Sequence, residues 1–177
     1  MIWAYQGKGR WRNEREANLF DGGAPFYGTY ACADGRYLAV GAIEAEFWEV
    51  FTQRCGIDDP VLLAGRDDRS QWPALRERLA AILRTQARDH WCGLMADSDG
   101  CVTPVLHMQE ATAHAHAVAR GAFIESAGVV QPAPAPRFGR TPGEVRSEPP
   151  LVGEHSRAVL ARHGFGKDEV ERLLAEG

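Results

Sequence analysis

Glu44 is the residue with the most chemical promise in this sequence. Alternation places it in line with Leu38, Val40 and Ala42, at the point where a predicted strand gives way to a predicted helix. Such junctions combine a rigid backbone with an exposed side-chain tip. A second reading of the same position is plain: Glu44 and Glu46 lie in the first turn of the helix, where carboxylates complement its dipole. Spacing alone favours that second reading. His107, His114 and His116 raise the question of a metal site. His114 and His116 are two apart on a predicted helix, so they point to different faces, and no carboxylate stands at a matching spacing. They read as exposed helix histidines, and no metal is expected. Gly7-x-Gly9 has neither a third glycine nor a preceding strand, and no Gly-x-Ser-x-Gly, P-loop or His-Glu-x-x-His pattern occurs. Cys32, Cys55, Cys92 and Cys101 form no Cys-x-x-Cys pair and read as reduced core residues.

The elements that must position Glu44 begin with a hairpin. Phe26–Cys32 and Arg36–Ile43 flank Asp34-Gly35, a dipeptide favoured where both turn residues need positive φ. Glu44-Ala45-Glu46 then opens a helix carrying Phe47, Trp48, Val50 and Phe51, which stops near Cys55-Gly56. A second helix is predicted from about Ser70, with Trp72-Pro73 in its first turn and Leu75, Leu79, Ile82 and Leu83 at helical spacing. A third starts near Ala87 and carries Trp91, Leu94 and Met95. Cys101–Leu106 is strand-like but broken by Pro104, and Glu110–Arg120 reads as an Ala- and His-rich helix. Residues 1–23 show no sustained periodicity and read as a segment that packs on something else. From Gln131 six prolines up to Pro150 impose an extended strap, and residues 153–174 close the chain as two short helices around Gly164-Phe165-Gly166. The expected class is α+β: a small antiparallel sheet with packed helices, an extended Pro-rich strap and a helical C-terminal tail.

Composition bounds the function. The 177 residues are 45% apolar and 25% charged, with a net charge of −4, the balance of an ordinary globular chain. Two lysines and eighteen arginines leave no basic excess, which argues against nucleic acid as a partner. Lys8, Arg10, Arg12 and Arg15 are offset by Glu14 and Glu16, a solvated or ion-paired cluster. No apolar run approaches a membrane span, and Met1–Lys8 lacks the apolar core of a signal peptide. A cytoplasmic protein with no membrane association is the expectation.

Several stretches resemble one family in order along the chain. Asp21-Gly22-Gly23-Ala24-Pro25-Phe26-Tyr27 and Ala33-Asp34-Gly35-Arg36-Tyr37-Leu38-Ala39-Val40-Gly41-Ala42-Ile43-Glu44 come first, then Asp97–Leu106, Pro134-Ala135-Pro136-Arg137-Phe138, and Gly153-Glu154-His155-Ser156 with Gly164-Phe165. They resemble the α-methylacyl-CoA racemases of the family III CoA-transferase superfamily, over the C-terminal half of the family's chain. The resemblance implies a three-part division: a linker at 1–23 from a large CoA-binding domain, a small α+β domain at 24–130, and at 131–177 a strap and helices that return to the large domain. That large domain, missing here or carried by a separate chain, would supply a catalytic His and Asp. The implied reaction interconverts (R)- and (S)-2-methylacyl-CoA by α-proton transfer through an enolate-like thioester, with no cofactor beyond the CoA thioester substrate.

Glu44 matches the family's catalytic glutamate, which pairs with the His. Phe20, Tyr27, Ile43 and Ala45 match the acyl-pocket wall, for which ordinary core packing is the other reading. Ala45 stands where the family has proline, and Glu46 where it has glutamine. An acyl-CoA substrate and a homo-oligomer follow from the same resemblance, as does exposed apolar surface around Leu151, Val159, Leu160, Phe165, Leu173 and Leu174. Two other readings stay open: a CoA transferase of the same superfamily, and a remnant or assembly module without turnover of its own.

Overall fold

A computed structural model describes residues 1–176. The chain forms two compact units, residues 1–107 and 108–177. The first contains α1 (Ile2–Gly7), β1 (Tyr27–Ala31), β2 (Tyr37–Gly41), α2 (Ala45–Arg54), α3 (Pro60–Ala64), α4 (Trp72–Leu83), α5 (Arg88–Met95) and β3 (Val102–Pro104). Its three strands form an antiparallel sheet in sequential order. The register pairs Tyr30 with Leu38 and Val40 with Val102, all four buried, so one face is the core face. Phe51, Leu75, Leu79 and Leu83 are fully buried with them, along with Trp48, Trp91 and Met95. The other face carries Thr29, Ala39 and Thr103 in one row, small and polar enough to stay open.

The hairpin turn differs from expectation. Only Gly35 has positive φ (+74°), and Cys32 N–H donates to the Arg36 carbonyl at 2.8 Å across three residues, Ala33, Asp34 and Gly35. This is a type I turn closed by a left-handed glycine rather than a two-residue turn. The Asp34 carboxylate thereby reaches a second element, where it accepts from the Arg88 N–H at 3.2 Å at the start of α5. Since Ala87, the N-cap residue, has no side-chain acceptor, the hairpin tip caps that helix from a distance.

The helices at Ala45, Trp72 and Arg88 begin within two residues of the predicted starts, and the strand-like run narrows to β3. Two short helices go beyond the sequence reading. One is α1, inside the aperiodic N-terminal segment. The other is α3, where the Asp59 carboxylate accepts from Val61 and Leu62 N–H and Pro60 occupies the first turn, a local capping signal.

The second unit contains α6 (Met108–Ala113), α7 (Ala115–Ala119), β4 (Phe123–Ser126), β5 (Val129–Pro132), α8 (Ser156–Arg162) and α9 (Lys167–Glu176). The single helix expected over Glu110–Arg120 is broken at His114, whose ψ of 133° makes it the N-cap of α7. The run holds neither Gly nor Pro, so no local breaker announces the break. β4 and β5 form a hairpin through Ala127 (φ 51°) and Gly128 (φ +73°), the two-residue turn with both residues left-handed. Gln131 and Pro132 belong to β5, so the extended stretch starts at residue 133. The two terminal helices form as expected around Gly164 (φ +90°), with Phe165 N–H donating to the Leu160 carbonyl at 3.2 Å. Leu151, Val159, Phe165 and Leu174 are exposed, Leu160 and Leu173 are half-buried, and Val170 is buried.

Candidate active-site region

Glu44 is the N-cap of α2, with extended backbone (φ −72°, ψ 146°) and no side-chain capping bond. Its charge stands at the positive end of the helix dipole, as the local reading has it, but it makes no capping hydrogen bond there. Its side chain is exposed, and among the described residues no hydrogen bond or ion pair engages its carboxylate. The backbone on either side is held tightly. Gly41 N–H donates to the Cys101 carbonyl at 2.8 Å, Ile43 N–H to the Gly41 carbonyl at 2.9 Å, and Trp48 N–H to the Glu44 carbonyl at 3.1 Å. Ala42 is fully buried between them. A rigid backbone thus presents a carboxylate with its acceptor capacity unused, the condition for hydrogen bonding to a group brought from elsewhere.

Phe20 and Tyr27 meet edge to face with ring centroids 5.7 Å apart, and Tyr5 extends the stack with its centroid 6.3 Å from Phe20. Tyr27 pairs with Gly41 in the sheet, so this aromatic wall and the Ile43-Glu44-Ala45 turn leave the same rung. Ile43 is half-buried, packed against the core, and Ala45 is exposed at the first position of α2. Phe20 and Tyr27 are brought together; Ile43, Glu44 and Ala45 are joined to them through the sheet rather than by ring contact. Beyond Phe20 lies a cavity of about 390 Å³ lined by Tyr5, Trp11, Phe20 and Trp72, with Arg10 and Arg69 among its polar residues. On the open sheet face, Tyr27, Thr29, Ala39, Gly41, Cys101 and Thr103 line a shallow groove of about 300 Å³.

The segment that delivers Phe20 is held by a residue the sequence reading missed. Asn18, 2% exposed, accepts from Arg12 N–H at 2.9 Å and donates to the Arg12 carbonyl at 2.9 Å and to Asp21 at 2.7 Å. Its own N–H donates to Asp21 at 2.8 Å. Burial alone would raise the Asp21 carboxyl; the bonds from the Asn18 side chain, Asn18 N–H, Gly23 N–H and Ala17 N–H together hold it below its ordinary value. The nearby Asn18, Asp21 and Gly22-Gly23 were the available signal for such a turn-rich knot.

Cys101 was also missed as a neighbour of the site. It has φ 50° and is exposed, unlike buried Cys32 and Cys55 and half-buried Cys92. Its thiol is pushed above its usual range by burial first, then by the negative charges of Glu44 and Asp99. Of the four predicted core thiols, Cys101 is the one that is not in the core. All four are free. Burial pushes the Cys32 and Cys55 thiols up to about 11. Among the described residues, no three His, Cys, Asp or Glu side chains are grouped to hold a metal ion, and no helix is long and apolar enough to cross a membrane.

Sequence comparison gives this arrangement its class. The model of CoA-transferase family III matches residues 1–156, and the chain belongs to that family. Within it, the chain is 37% identical over 178 residues to the α-methylacyl-CoA racemase of Mus musculus and 36% identical over 178 residues to that of Homo sapiens. Each alignment takes in 99% of this chain and 46% of the relative. The chain therefore spans about half the length of the curated relatives it matches. The fold is also that of a CAIB/BAIF family protein from Brucella suis, with a TM-score of 0.66 at 21% identity, over 90% of this chain and 43% of that one.

Proposed function

We propose that this chain supplies the glutamate-bearing part of an α-methylacyl-CoA racemase. In this reading the whole enzyme interconverts (R)- and (S)-2-methylacyl-CoA thioesters. A base takes the α-proton, the electron pair of the C–H bond moves onto the thioester carbonyl, and an acid on the opposite face returns a proton to the α-carbon. Glu44 accepts a hydrogen bond from a histidine imidazole of the large domain. It fixes the imidazole's tautomer and stabilises the imidazolium formed when that histidine holds the substrate proton. Phe20, Tyr27, Ile43 and Ala45 flank the acyl group, leaving the exchange of protons to the large domain's His and Asp. The partners are an acyl-CoA and a CoA-binding large domain in a homo-oligomer, with residues 131–177 returning the chain to that domain. No cofactor enters beyond the CoA thioester.

The observation that carries this reading is the Glu44 carboxylate, exposed and unengaged on a pinned backbone, in a chain aligned over nearly its whole length with racemases. The test is exchange of the α-proton of a 2-methylacyl-CoA in deuterated buffer. The chain is assayed alone and after mixing with a separately produced N-terminal half of a family III racemase. Exchange in the mixture, reduced about 10²-fold or more by Glu44→Gln, is the expected result, in the range of positioned acid–base groups. Transfer of CoA to a free acid without α-exchange would make the chain part of a transferase. Neither activity would make it a module without turnover.

A further inference from the structure

We propose that Arg66 is a positioning residue for Glu44, acting through the carbonyl of Ile43; the functional half of this inference rests on the reading above. Ile43 stands between two hydrogen-bonding systems. β2 ends at Gly41, and the first carbonyl of the helical ladder is that of Glu44, which accepts from Trp48. The Ile43 carbonyl belongs to neither. An Arg66 Nη2–H donates to it. The donor comes from the connection between α3 and α4, 23 residues along the chain.

The guanidinium has two further contacts. Its carbon lies 4.3 Å from the centroid of the Phe26 ring, a cation–π arrangement in a site where the side chain is only 13% exposed. Its Nη1 pairs with Asp67. The Arg66 backbone carbonyl accepts from Trp72 Nε1–H at 2.8 Å, so the residue is anchored to the first turn of α4. The backbone at Gly65, just before it, runs close to its neighbours: a Cβ there would lie 2.9 Å from Gln71 Oε1, the end of a flexible side chain, and 3.0 Å from the Val61 carbonyl oxygen.

The Arg66 Nε, moreover, is buried with no partner among the described residues. A side chain placed only to fill the space over Phe26 would be apolar and would leave no donor unmet. What the arginine adds, besides an ion pair with the exposed Asp67, is the bond to Ile43. Together with Gly41 N–H on the Cys101 carbonyl and Trp48 N–H on the Glu44 carbonyl, that bond fixes the backbone before and after Glu44. It leaves the carboxylate to point where the chain directs it. Small displacements of such groups have large effects on proton transfer.

The test uses the full chain and amide hydrogen exchange, which reads the turn whether or not catalysis is present. Arg66→Met should speed exchange at Ile43 and Trp48 about tenfold or more, while amides of the β1–β2 ladder and of α4 around Leu79 stay within about twofold, since local opening is separable from global unfolding. Arg66→Lys keeps the charge and a donor for the carbonyl and should fall between. If Arg66→Met does not fold, the Lys variant decides: acceleration confined to residues 43–48 supports the assignment. Uniform acceleration across residues 1–107, or none at 43–48, overturns it in either variant.

In the reconstituted racemase, Arg66→Met should lower kcat about tenfold with KM within about threefold, and should add less than about twofold in a Glu44→Gln background, because the two act as one unit. Full additivity overturns the coupling. A Glu44→Gln enzyme with normal turnover refutes the functional reading above, while the exchange result still decides whether Arg66 holds the turn.

Discussion

Replacing Asn18 by alanine removes three side-chain hydrogen bonds from a residue that is almost wholly buried: two with the Arg12 backbone at 2.9 Å and one to the Asp21 carboxylate at 2.7 Å. The neutral pair contributes about 1 kcal/mol per bond and the bond to the charged carboxylate about 2 kcal/mol. Arg12 is exposed and Asp21 half-exposed, so water recovers part of this, and a net loss of about 3 kcal/mol is expected. That is about a hundredfold in the folding equilibrium. Urea unfolding followed by tryptophan fluorescence reports it directly, because Trp11 and Trp72 line the cavity beside Asn18.

The pH dependence supplies an independent check. The Asp21 carboxyl sits below its ordinary value of 3.8 in the folded chain. Its contribution is therefore fully present above the unfolded value and is lost as pH falls through the folded one. The gap between wild type and Asn18→Ala should accordingly narrow below about pH 4. A loss under about 1 kcal/mol at pH 7, or a gap that stays constant from pH 7 to pH 3, would refute the assignment of Asn18 and Asp21 as the knot that carries Phe20.

Two further predictions probe the same region. Gly23→Ala places a Cβ 2.7 Å from the Asn18 and Glu16 carbonyl oxygens and 2.8 Å from Asn18 N. These are backbone atoms that cannot step aside, so thermal or urea unfolding should show a loss of about 3 kcal/mol; a neutral substitution would mean that the 16–23 loop is built otherwise. A maleimide at pH 7.5 should label Cys101 before the other three thiols. Glu44→Gln should speed that labelling about twofold, because removing a negative neighbour lets more of the thiol ionise. Faster labelling of Cys92, read by peptide mass, or a slower Cys101 in the variant, would contradict the placement of Cys101 beside Glu44.

The sequence alone determined the elements whose signals are local. The Leu75, Leu79, Leu83 spacing, the acidic start of α2 and Gly164 between the terminal helices each act within a few residues, so periodicity and capping chemistry locate them. It also carried the family, because ordered motifs from Asp21 to Phe165 survive as a string. The β4–β5 hairpin and α3 have local signals too, in Gly128 and Asp59-Pro60.

What the tertiary structure decided is everything that joins distant residues. Asp34 caps α5 across 54 positions, Arg66 reaches the Ile43 carbonyl across 23, and Cys101 comes to Glu44 because β3 pairs with β2. No one-dimensional pattern encodes such contacts, since each depends on where two separately folded segments are brought by burial of the core. Glu44 shows the division most clearly. Its identity and its place at a strand–helix junction are written in the chain. That its carboxylate does not cap the helix and stands unengaged on a backbone pinned from three directions is a property of the fold.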